Sequence, residues 1–280
     1  MTTRPDLVLV GRGRVGRTLA KRFAERGVRA SLLAARGLVS SARARAALRR
    51  ASVIWIVVPD PYLAEVDRAV AAALEGIERG DLPVVAHASG ALAPGALAAS
   101  AARGACVAVA HPAVSFGTTR TALEGTSFVL DGPARATRRL GALVRALGAR
   151  PLARAVHGPR YHAALALAAN GAAALAALAA HILAQAGLTP EESARLLGPL
   201  LRSVADNVSR VGPARALTGP IARGDAAAVT RHLDALTPDE RADYVAVSEI
   251  VLRAACAGGL EASAARRIAA TLSRAQRATR

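Results

Sequence analysis

The sequence predicts an α/β protein in which a doubly wound parallel sheet at the N-terminus is followed by an all-helical C-terminal domain. Three observations predict this architecture. Short apolar runs alternate with helical periodicity in the N-terminal part, the pattern changes to helices alone from Pro159 onward, and 280 residues are enough for two domains. We place the domain boundary after residue 156, which gives domains of residues 1–156 and 157–280.

The first predicted strand, Leu7–Val10, runs directly into a glycine-rich turn. That turn consists of Gly11, Arg12, Gly13, Arg14, Val15 and Gly16. Glycines at this spacing allow a tight turn, a close approach of backbone to a pyrophosphate, and close packing of the next helix. Apolar residues at helical spacing follow the turn, so we predict a dinucleotide-binding Rossmann domain. The alternative is an ordinary glycine-rich turn between a strand and a helix.

The end of the second predicted strand, residues 30–33, indicates which cofactor is bound. An acidic residue there would bind the ribose 2′-hydroxyl, whereas a cation accommodates a 2′-phosphate. This chain has Arg36 at that place, with Ser40, Ser41 and Arg43 close behind it, and no acid. We therefore predict NADP(H) rather than NAD(H). The alternative is that Arg36 is one more solvated arginine.

The remaining elements of the sheet domain follow from the same patterns. Strands are predicted at residues 53–58, 83–86, 106–110, 127–130 and 149–153, and helices at residues 42–50, 62–77, 92–103 and 134–147. In the second domain a long alanine-rich helix is predicted over residues 160–186. Thr189 and Thr237, each followed by proline and acids, predict the starts of two further helices.

Two histidines are placed where an open α/β sheet binds its ligands, at the carboxyl ends of strands. His87 follows the fourth predicted strand and His111 the fifth. Reduction of a carbonyl by hydride leaves an alkoxide that needs a proton, and imidazole titrates near neutral pH. We therefore predict His111 as the leading proton donor, with Ser89 and His87 beside it. The alternative is that these histidines only end strands.

A third histidine lies on the long helix of the second domain. His162, Ala166 and Asn170 are four residues apart, so they share one helical face that can look into a cleft. The only lysine of the chain is Lys21, in the first helix, so no lysine is available as a proton donor. His162 is either part of the catalytic group or a satisfied core histidine.

A glycine-rich polar loop, residues 217–225, interrupts the helical domain. Thr218, Arg223 and Asp225 in this loop suit the clamping of a substrate carboxylate or contact with a partner subunit. The alternative for Asp225 is that it caps the helix that follows.

Composition limits the partners. The formal charge of +17 is almost all arginine, but the arginines are scattered and no basic run is interleaved with aromatic residues, so nucleic acid is not expected. Histidines and acids do not cluster at metal-ligand spacing. Cys106 and Cys256 form no disulfide framework, which favours the cytoplasm. Residues 163–187 are mostly alanine, so we predict a helix at a homodimer interface rather than a membrane span.

Six segments together resemble one bacterial family, the Rossmann-like proteins whose helical half is called domain of unknown function 2520. They are residues 11–16, 57–60, 87–92, 111–116, 161–164 and, most specifically, 217–225. The resemblance implies that Val58, Pro59 and Asp60 also bind the cofactor. Wider relatives include pyrroline-5-carboxylate, ketopantoate and coenzyme-F420-type NADP reductases, β-hydroxyacid dehydrogenases and prephenate dehydrogenases, which share a dimer-forming helical domain.

Two of those relatives bear on catalysis. In prephenate dehydrogenases a histidine in a similar turn is catalytic and a serine supports it, which would correspond to His111 and Ser89. In β-hydroxyacid dehydrogenases a lysine precedes the helical asparagine, and here Ala166 replaces the lysine before Asn170. We therefore predict an NADPH-dependent reductase of a small anionic keto or imino acid, such as ketopantoate. The alternative is a non-catalytic NADP-binding regulator.

Overall fold

A computed structural model describes residues 7–278 of the chain. The chain divides into two compact units, Met1–Ala172 and Ala173–Arg280. The boundary predicted after residue 156 comes before this division, because the first part of the long helix stays with the sheet. Its N-terminal Gly158 N–H donates to the Gly90 carbonyl at 3.1 Å, and Tyr161 bonds to His111.

Among the described residues of the first unit, from residue 7 onward, seven strands form one sheet. They are β1 (Leu7–Val10), β2 (Ala30–Leu33), β3 (Val53–Ile56), β4 (Val84–His87), β5 (Cys106–Pro112), β6 (Ser127–Asp131) and β7 (Arg150–Ala153). Their order across the sheet is β2-β1-β3-β4-β5-β6-β7. The predicted α/β architecture is confirmed, and the first five strands are parallel as predicted.

The last two strands of the sheet, β6 and β7, run against the predicted direction. β6 pairs antiparallel with β5, and β7 is parallel to β6, so the last two strands are reversed. A parallel connection needs a crossover, usually a helix, whereas an antiparallel one does not. Residues 113–126, which connect β5 to β6, contain no helix. The sheet is therefore mostly rather than wholly parallel.

Helices cover both faces of this sheet. They are α1 (Arg14–Glu25), α2 (Ala42–Arg50), α3 (Leu63–Ala73), α4 (Ala98–Ala102) and α5 (Ala134–Ala146). Alternate strand residues enter two separate clusters: Leu9 and Trp55 pack with Phe23 on one face, and Val10 and Ile56 pack with Leu48 on the other. This two-sided burial explains why the central strands are continuous apolar runs.

The helix predicted over residues 92–103 is much shorter in the structure. Only α4 is α-helical, after a 3₁₀ turn at Pro94–Ala96. Pro94 has no N–H to donate and Gly95 is a poor helix former, which delays the helix. The buried carboxylate of Asp67 accepts hydrogen bonds from the N–H of Ala99 at 2.8 Å and from the N–H of Ser100 at 3.3 Å. The start of α4 is therefore set by a residue of α3.

The long helix predicted over residues 160–186 is present, with an irregular turn inside it. It consists of α6 (Pro159–Ala166), a π-helical turn (Leu167–Gly171) and α7 (Ala172–Gln185). By length and composition alone, Pro159–Gln185 is one helix that could cross a membrane, with a mean hydropathy of 1.8. Single π turns inside helices are frequent at functional sites.

The second unit is helical throughout. After α7 it contains α8 (Pro190–Val211), α9 (Ala226–Ala235), α10 (Pro238–Ala257) and α11 (Ala262–Ala278). Thr189 and Thr237 cap α8 and α10 as predicted, each with the glutamate three residues later completing a capping box. The core of this unit is formed by α9, α10 and α11, with Val229, Val245 and Ile268 buried in it.

Candidate functional site

Two of the three glycines in the turn after β1 have no room for a larger side chain. Gly11 has φ +131°, and a Cβ there would lie 2.6 Å from the Val57 carbonyl oxygen. A Cβ on Gly16 would lie 1.9 Å from the Gly11 carbonyl oxygen. Gly13 has nothing within 4 Å of its ideal Cβ position, so its surface is open. The first and third glycines close the turn, and the middle one leaves room above it.

This turn lies at the point where the strand order reverses. β2 and β3 lie on opposite sides of β1, and ligands of such sheets bind in the crevice outside the carboxyl ends there. Gly13 is the N-cap of α1, without a side-chain cap and without an acid in the first turn. The first amides of α1 are therefore free to bind an anion.

One side of the turn opens into a cleft of about 470 Å³, which we call the nucleotide cavity. It brings together the predicted cofactor residues Gly11, Arg12, Gly13, Arg36, Val58 and Pro59. Tyr62 and Glu65 also line it and were not predicted. Both closely follow Asp60 in the sequence. Because Asp60 was predicted to bind the cofactor, this closeness could have identified them.

The other side of the turn opens into a cleft of about 360 Å³, which we call the reaction cavity. Its predicted members are Gly13, Arg14, Val15, Val58, Pro59, Asp60, Ser89, His111 and His162. Gly13, Val57, Val58 and Pro59 line both cavities, so the two form one crevice along the glycine turn. Phe116 also lines the reaction cavity and was not predicted.

Ser89 shapes the loop after β4. Its hydroxyl donates to the Asp60 carboxylate at 3.0 Å and accepts from the N–H groups of Ala91 and Leu92 at 3.1 and 3.2 Å. The hydroxyl proton is thus engaged by Asp60. Ser89 holds that carboxylate in place on the wall of the reaction cavity.

His87 does not reach the reaction cavity, although we predicted it as catalytic. Its side chain is buried, Nε2 donates to the Ala93 carbonyl at 3.0 Å, and Nδ1 accepts from the Ser89 N–H at 3.2 Å. Burial lowers the pKa of His87, which keeps the imidazole neutral. Both ring nitrogens are occupied by backbone groups, so we correct its role to a structural one.

His111 lies in the reaction cavity with a partner that the sequence reasoning missed. Its Nδ1 lies 3.0 Å from the Tyr161 hydroxyl, and a Cβ on Gly90 would lie 2.8 Å from its Nε2. Burial, together with the nearby His162, lowers the pKa of His111 to about 4. The imidazole is therefore neutral at physiological pH, unlike the near-neutral titration we expected.

Tyr161 is set up to donate to that imidazole. Burial raises the pKa of the Tyr161 phenol, so the hydroxyl keeps its proton near neutral pH. We assign it as the donor to Nδ1 of His111, which leaves the single proton of the neutral imidazole on Nε2, beside Gly90. In the sequence, the position of Tyr161 directly before His162 could have identified it as a residue of the site.

His162 and Asn170 lie along a third cavity, of about 420 Å³, that also reaches His111. Ala166 lines it between them, and the ring centroids of His162 and His111 are 6.4 Å apart. Asn170 lies in the π-helical turn. The side chain of Ala166 is small and takes up little of this cavity.

The predicted substrate loop belongs to the second unit. The Arg223 guanidinium donates to the Thr218 carbonyl, and the Asp225 carboxylate accepts from the Ala228 N–H at 2.9 Å as N-cap of α9. Between residues 7 and 278 no ion pair joins Arg223 to Asp225. The capping alternative accounts for Asp225, and a role of the loop in substrate binding stays a prediction. Over the same described range, no three His, Cys, Asp or Glu side chains are grouped as metal ligands would be.

Comparison with protein families finds one match, which covers part of the chain. The match spans residues 126–250, from β6 into α10. Residues 126–250 match the model of a domain of unknown function, DUF2520. The DUF2520 segment therefore includes the end of the sheet, α6 to α9 and the loop at 217–225. No curated protein sequence matches this chain.

Solved structures show the same fold over nearly the whole chain. The Bacteroides fragilis protein BF3122, provisionally assigned as an NADP oxidoreductase, has a TM-score of 0.66 at 20% identity, covering 90% of this chain and 97% of that one. A Myxococcus stipitatus imine reductase variant in complex with NAD+ has 0.56 at 20%, covering 98% and 100%. A Coxiella burnetii pyrroline-5-carboxylate reductase has 0.55 at 12%, covering 98% and 98%.

Proposed function

We propose that the protein is an NADPH-dependent reductase of a small anionic imino or keto acid. The observation that carries the proposal is the single crevice along the glycine turn, with Arg36 at one end and His111 at the other. A dinucleotide lying in it would have its 2′-phosphate end at Arg36 and its reactive ring in the reaction cavity. The structures with the same fold include an imine reductase bound to NAD+ and a pyrroline-5-carboxylate reductase.

The choice of NADPH rests on the charges around the nucleotide cavity. Arg12 and Arg36 line it, and no acid follows β2 at the position that would bind a free ribose 2′-hydroxyl. An arginine fork binds phosphate oxygens in pairs, which favours the phosphorylated cofactor. Glu65 lines the same cavity and opposes a phosphate that comes close to it.

The choice between imino and keto acid rests on His111. Hydride addition to a carbonyl leaves an alkoxide that needs a proton, whereas hydride addition to a protonated imine gives a neutral amine directly. With a pKa of about 4, His111 holds no imidazolium proton to donate near neutral pH. The reaction cavity also carries the Asp60 carboxylate, which favours a cationic carbon–nitrogen centre. We therefore place an imino acid before a keto acid.

The bound cofactor would supply the hydride, and the protein would position the substrate. Ser89 holds Asp60 on the cavity wall, and Tyr161 fixes the tautomer of His111 so that its Nε2–H can donate to a substrate oxygen or nitrogen. His162 and Asn170 would contact the part of the substrate that extends towards the π-helical turn. The loop with Thr218, Arg223 and Asp225 is retained as the proposed site for the substrate carboxylate.

The test is NADPH oxidation by the purified protein against matched cyclic imino acids and keto acids, with ketopantoate in the keto set. We expect kcat/KM to be highest for an imino acid and higher with NADPH than with NADH. Asp60→Asn should reduce kcat for the imino acid more than for a keto acid. Tight NADPH binding without turnover of any substrate would support the non-catalytic regulator instead.

We also propose a cytoplasmic homodimer that binds neither nucleic acid nor membrane. Cys106 and Cys256 are both free thiols, which suits a reducing compartment. Asn170, His181 and Gln185 interrupt the apolar surface of Pro159–Gln185, which suits a protein interface better than lipid.

A further inference from the structure

A cleft of about 580 Å³ is lined by β2 and α2, and it shares Arg12 and Arg36 with the nucleotide cavity. We call it the arginine groove, and its polar lining is Arg12, Ser31, Arg36, Ser41, Arg43 and Arg50. It runs along β2, which is the edge strand of the sheet and pairs with β1. Arg43 belongs to the group expected to hold the 2′-phosphate of NADPH, whereas nothing in the proposed reaction uses Arg50.

The arginines of α2 divide into two sets. Arg45 donates to the Val39 carbonyl, and Arg49 donates to the carbonyls of Ala73 and Glu75, so these two are engaged by backbone. Arg43 and Arg50 are seven residues apart and face the groove together. In the part of the chain that the structure describes, neither side chain has a hydrogen bond or an ion pair. The helix therefore keeps two free cations on its groove side.

The charge in the groove is uncompensated. Arg12 and Arg36 are also without a protein partner among residues 7–278, and no carboxylate lines the groove. Four cations around one cavity repel one another, and an anion relieves that repulsion while forming charge-assisted hydrogen bonds. The nucleotide cavity differs in this respect, because Glu65 lines it.

The groove is longer than one phosphate requires. Arg43 and Arg50 are about two helical turns apart, or about 10 Å along α2. A cofactor 2′-phosphate held by Arg36 would leave Arg50 without an anion at the other end. The hydroxyls of Ser31 and Ser41 add donors along the length of the groove. This spacing suits two linked phosphates.

We propose that the arginine groove is a second anion site, which binds a small molecule carrying two or more linked phosphate groups. Because Arg12 and Arg36 line both the groove and the nucleotide cavity, its occupant competes for them with the 2′-phosphate of NADPH. The occupant therefore weakens NADPH and spares NADH, which has no 2′-phosphate. Only this coupling rests on the proposed function.

The first experiment titrates inorganic pyrophosphate into the 280-residue chain by calorimetry at constant ionic strength. Arg50→Ala removes a groove cation, and Arg45→Ala is the matched control, since it removes the same charge from the same helix outside the groove. We expect Arg50→Ala to raise the Kd for pyrophosphate at least tenfold and Arg45→Ala less than twofold. Equal effects of the two variants, or no binding to the wild type at millimolar pyrophosphate, would overturn the proposal. Thermal unfolding of both variants checks that they are folded.

The second experiment measures NADPH and NADH binding with and without saturating pyrophosphate. We expect the Kd for NADPH to rise several-fold and that for NADH to stay within twofold, and Arg50→Ala to remove the difference. An equal rise for both nucleotides would place pyrophosphate on the glycine turn and overturn the groove. If neither nucleotide binds, the proposed function fails while the contrast between Arg50→Ala and Arg45→Ala still reports on the groove. If NADPH is bound and oxidised normally but pyrophosphate does not bind, the groove proposal fails while the proposed function stands.

Discussion

The two units of this protein differ in how completely they bury their apolar residues. In the first unit every residue of β1, β3 and β4 is buried, and helices cover both faces of the sheet. In the second unit α7 has no buried residue and α8 has only Ser193. The core there is restricted to the three helices α9, α10 and α11.

Exposed apolar residues of the second unit are regularly spaced along α8. Leu196, Leu200, Val204 and Val208 follow at intervals of four along α8 and are 55, 59, 46 and 40% exposed. Residues at this spacing form one stripe along a helix, and exposed stripes of this kind mark interfaces. Arg195 and Arg202 lie on the opposite face of α8. We infer that the first unit buries its apolar residues by itself, whereas the second unit leaves an apolar stripe on α8 exposed. We propose that a second copy of this chain covers that stripe.

The largest expected effect is on the stability of the proposed dimer. Leu200→Glu puts a charge on the apolar stripe, and a symmetric dimer would bury that charge twice. We expect the dimer dissociation constant to rise on the order of 10³-fold, measured by sedimentation. Ser209→Glu introduces the same charge on the other face of α8 and should change it little. A wild type that is monomeric at micromolar concentration would contradict the comparison.

The next effect tests how tightly the first unit is packed. Gly16→Ala places a methyl group 1.9 Å from the Gly11 carbonyl oxygen, where the backbone of β1 and α1 cannot move apart without loss of packing. We expect the free energy of unfolding to fall by about 3 kcal/mol, by denaturant titration. Gly13→Ala, with nothing within 4 Å, should change it by less than about 0.5 kcal/mol. Similar losses for both would show that the turn is less tightly packed than the structure indicates.

A third measurement asks whether the first unit alone holds the reacting groups. His111→Asn should lower kcat about 10²-fold with little change in the Kd for NADPH, because it removes a positioned hydrogen-bond donor. Arg223→Ala, in the second unit, should raise KM and leave kcat nearly unchanged. Full turnover in His111→Asn together with loss in His162→Asn would move the donor to α6.

The pH profile follows from the pKa of His111, which is about 4. If neutral His111 is the active form, kcat is constant above pH 5 and is lost as the pH falls through about 4. If the imidazolium were the proton donor, kcat would instead rise as the pH falls through about 4. A limb near pH 6.5 that disappears in His111→Asn would show that the pKa is not lowered.

The smallest of these effects concerns Arg36. Arg36→Ala should raise the Kd for NADPH about 10-fold to 10²-fold and that for NADH far less, because a charge-assisted contact to phosphate contributes about 1–3 kcal/mol. Equal losses for both nucleotides would mean that Arg36 only supports the shape of the nucleotide cavity. Fluorescence titration of each cofactor measures both constants.

Features that depend on neighbours along the chain could be predicted from the sequence. β2 and α2 have the predicted bounds, because apolar runs and helical spacing are read from adjacent residues. The N-caps Thr189 and Thr237 were predicted for the same reason, since a cap lies directly before the helix that it begins. Gly11 and Gly16 were recognised from their spacing.

Features that join residues distant in the sequence became visible only in the folded structure. β6 is antiparallel to β5 because the chain returns without a helix, and no local pattern records strand direction. Both ring nitrogens of His87 bond to backbone of the loop that follows β4, and Tyr161 bonds to His111 across 50 residues of sequence. The lowered pKa of His111 results from burial and from the nearby His162. Residue types show which groups can react, but their partners and their burial depend on packing between distant segments.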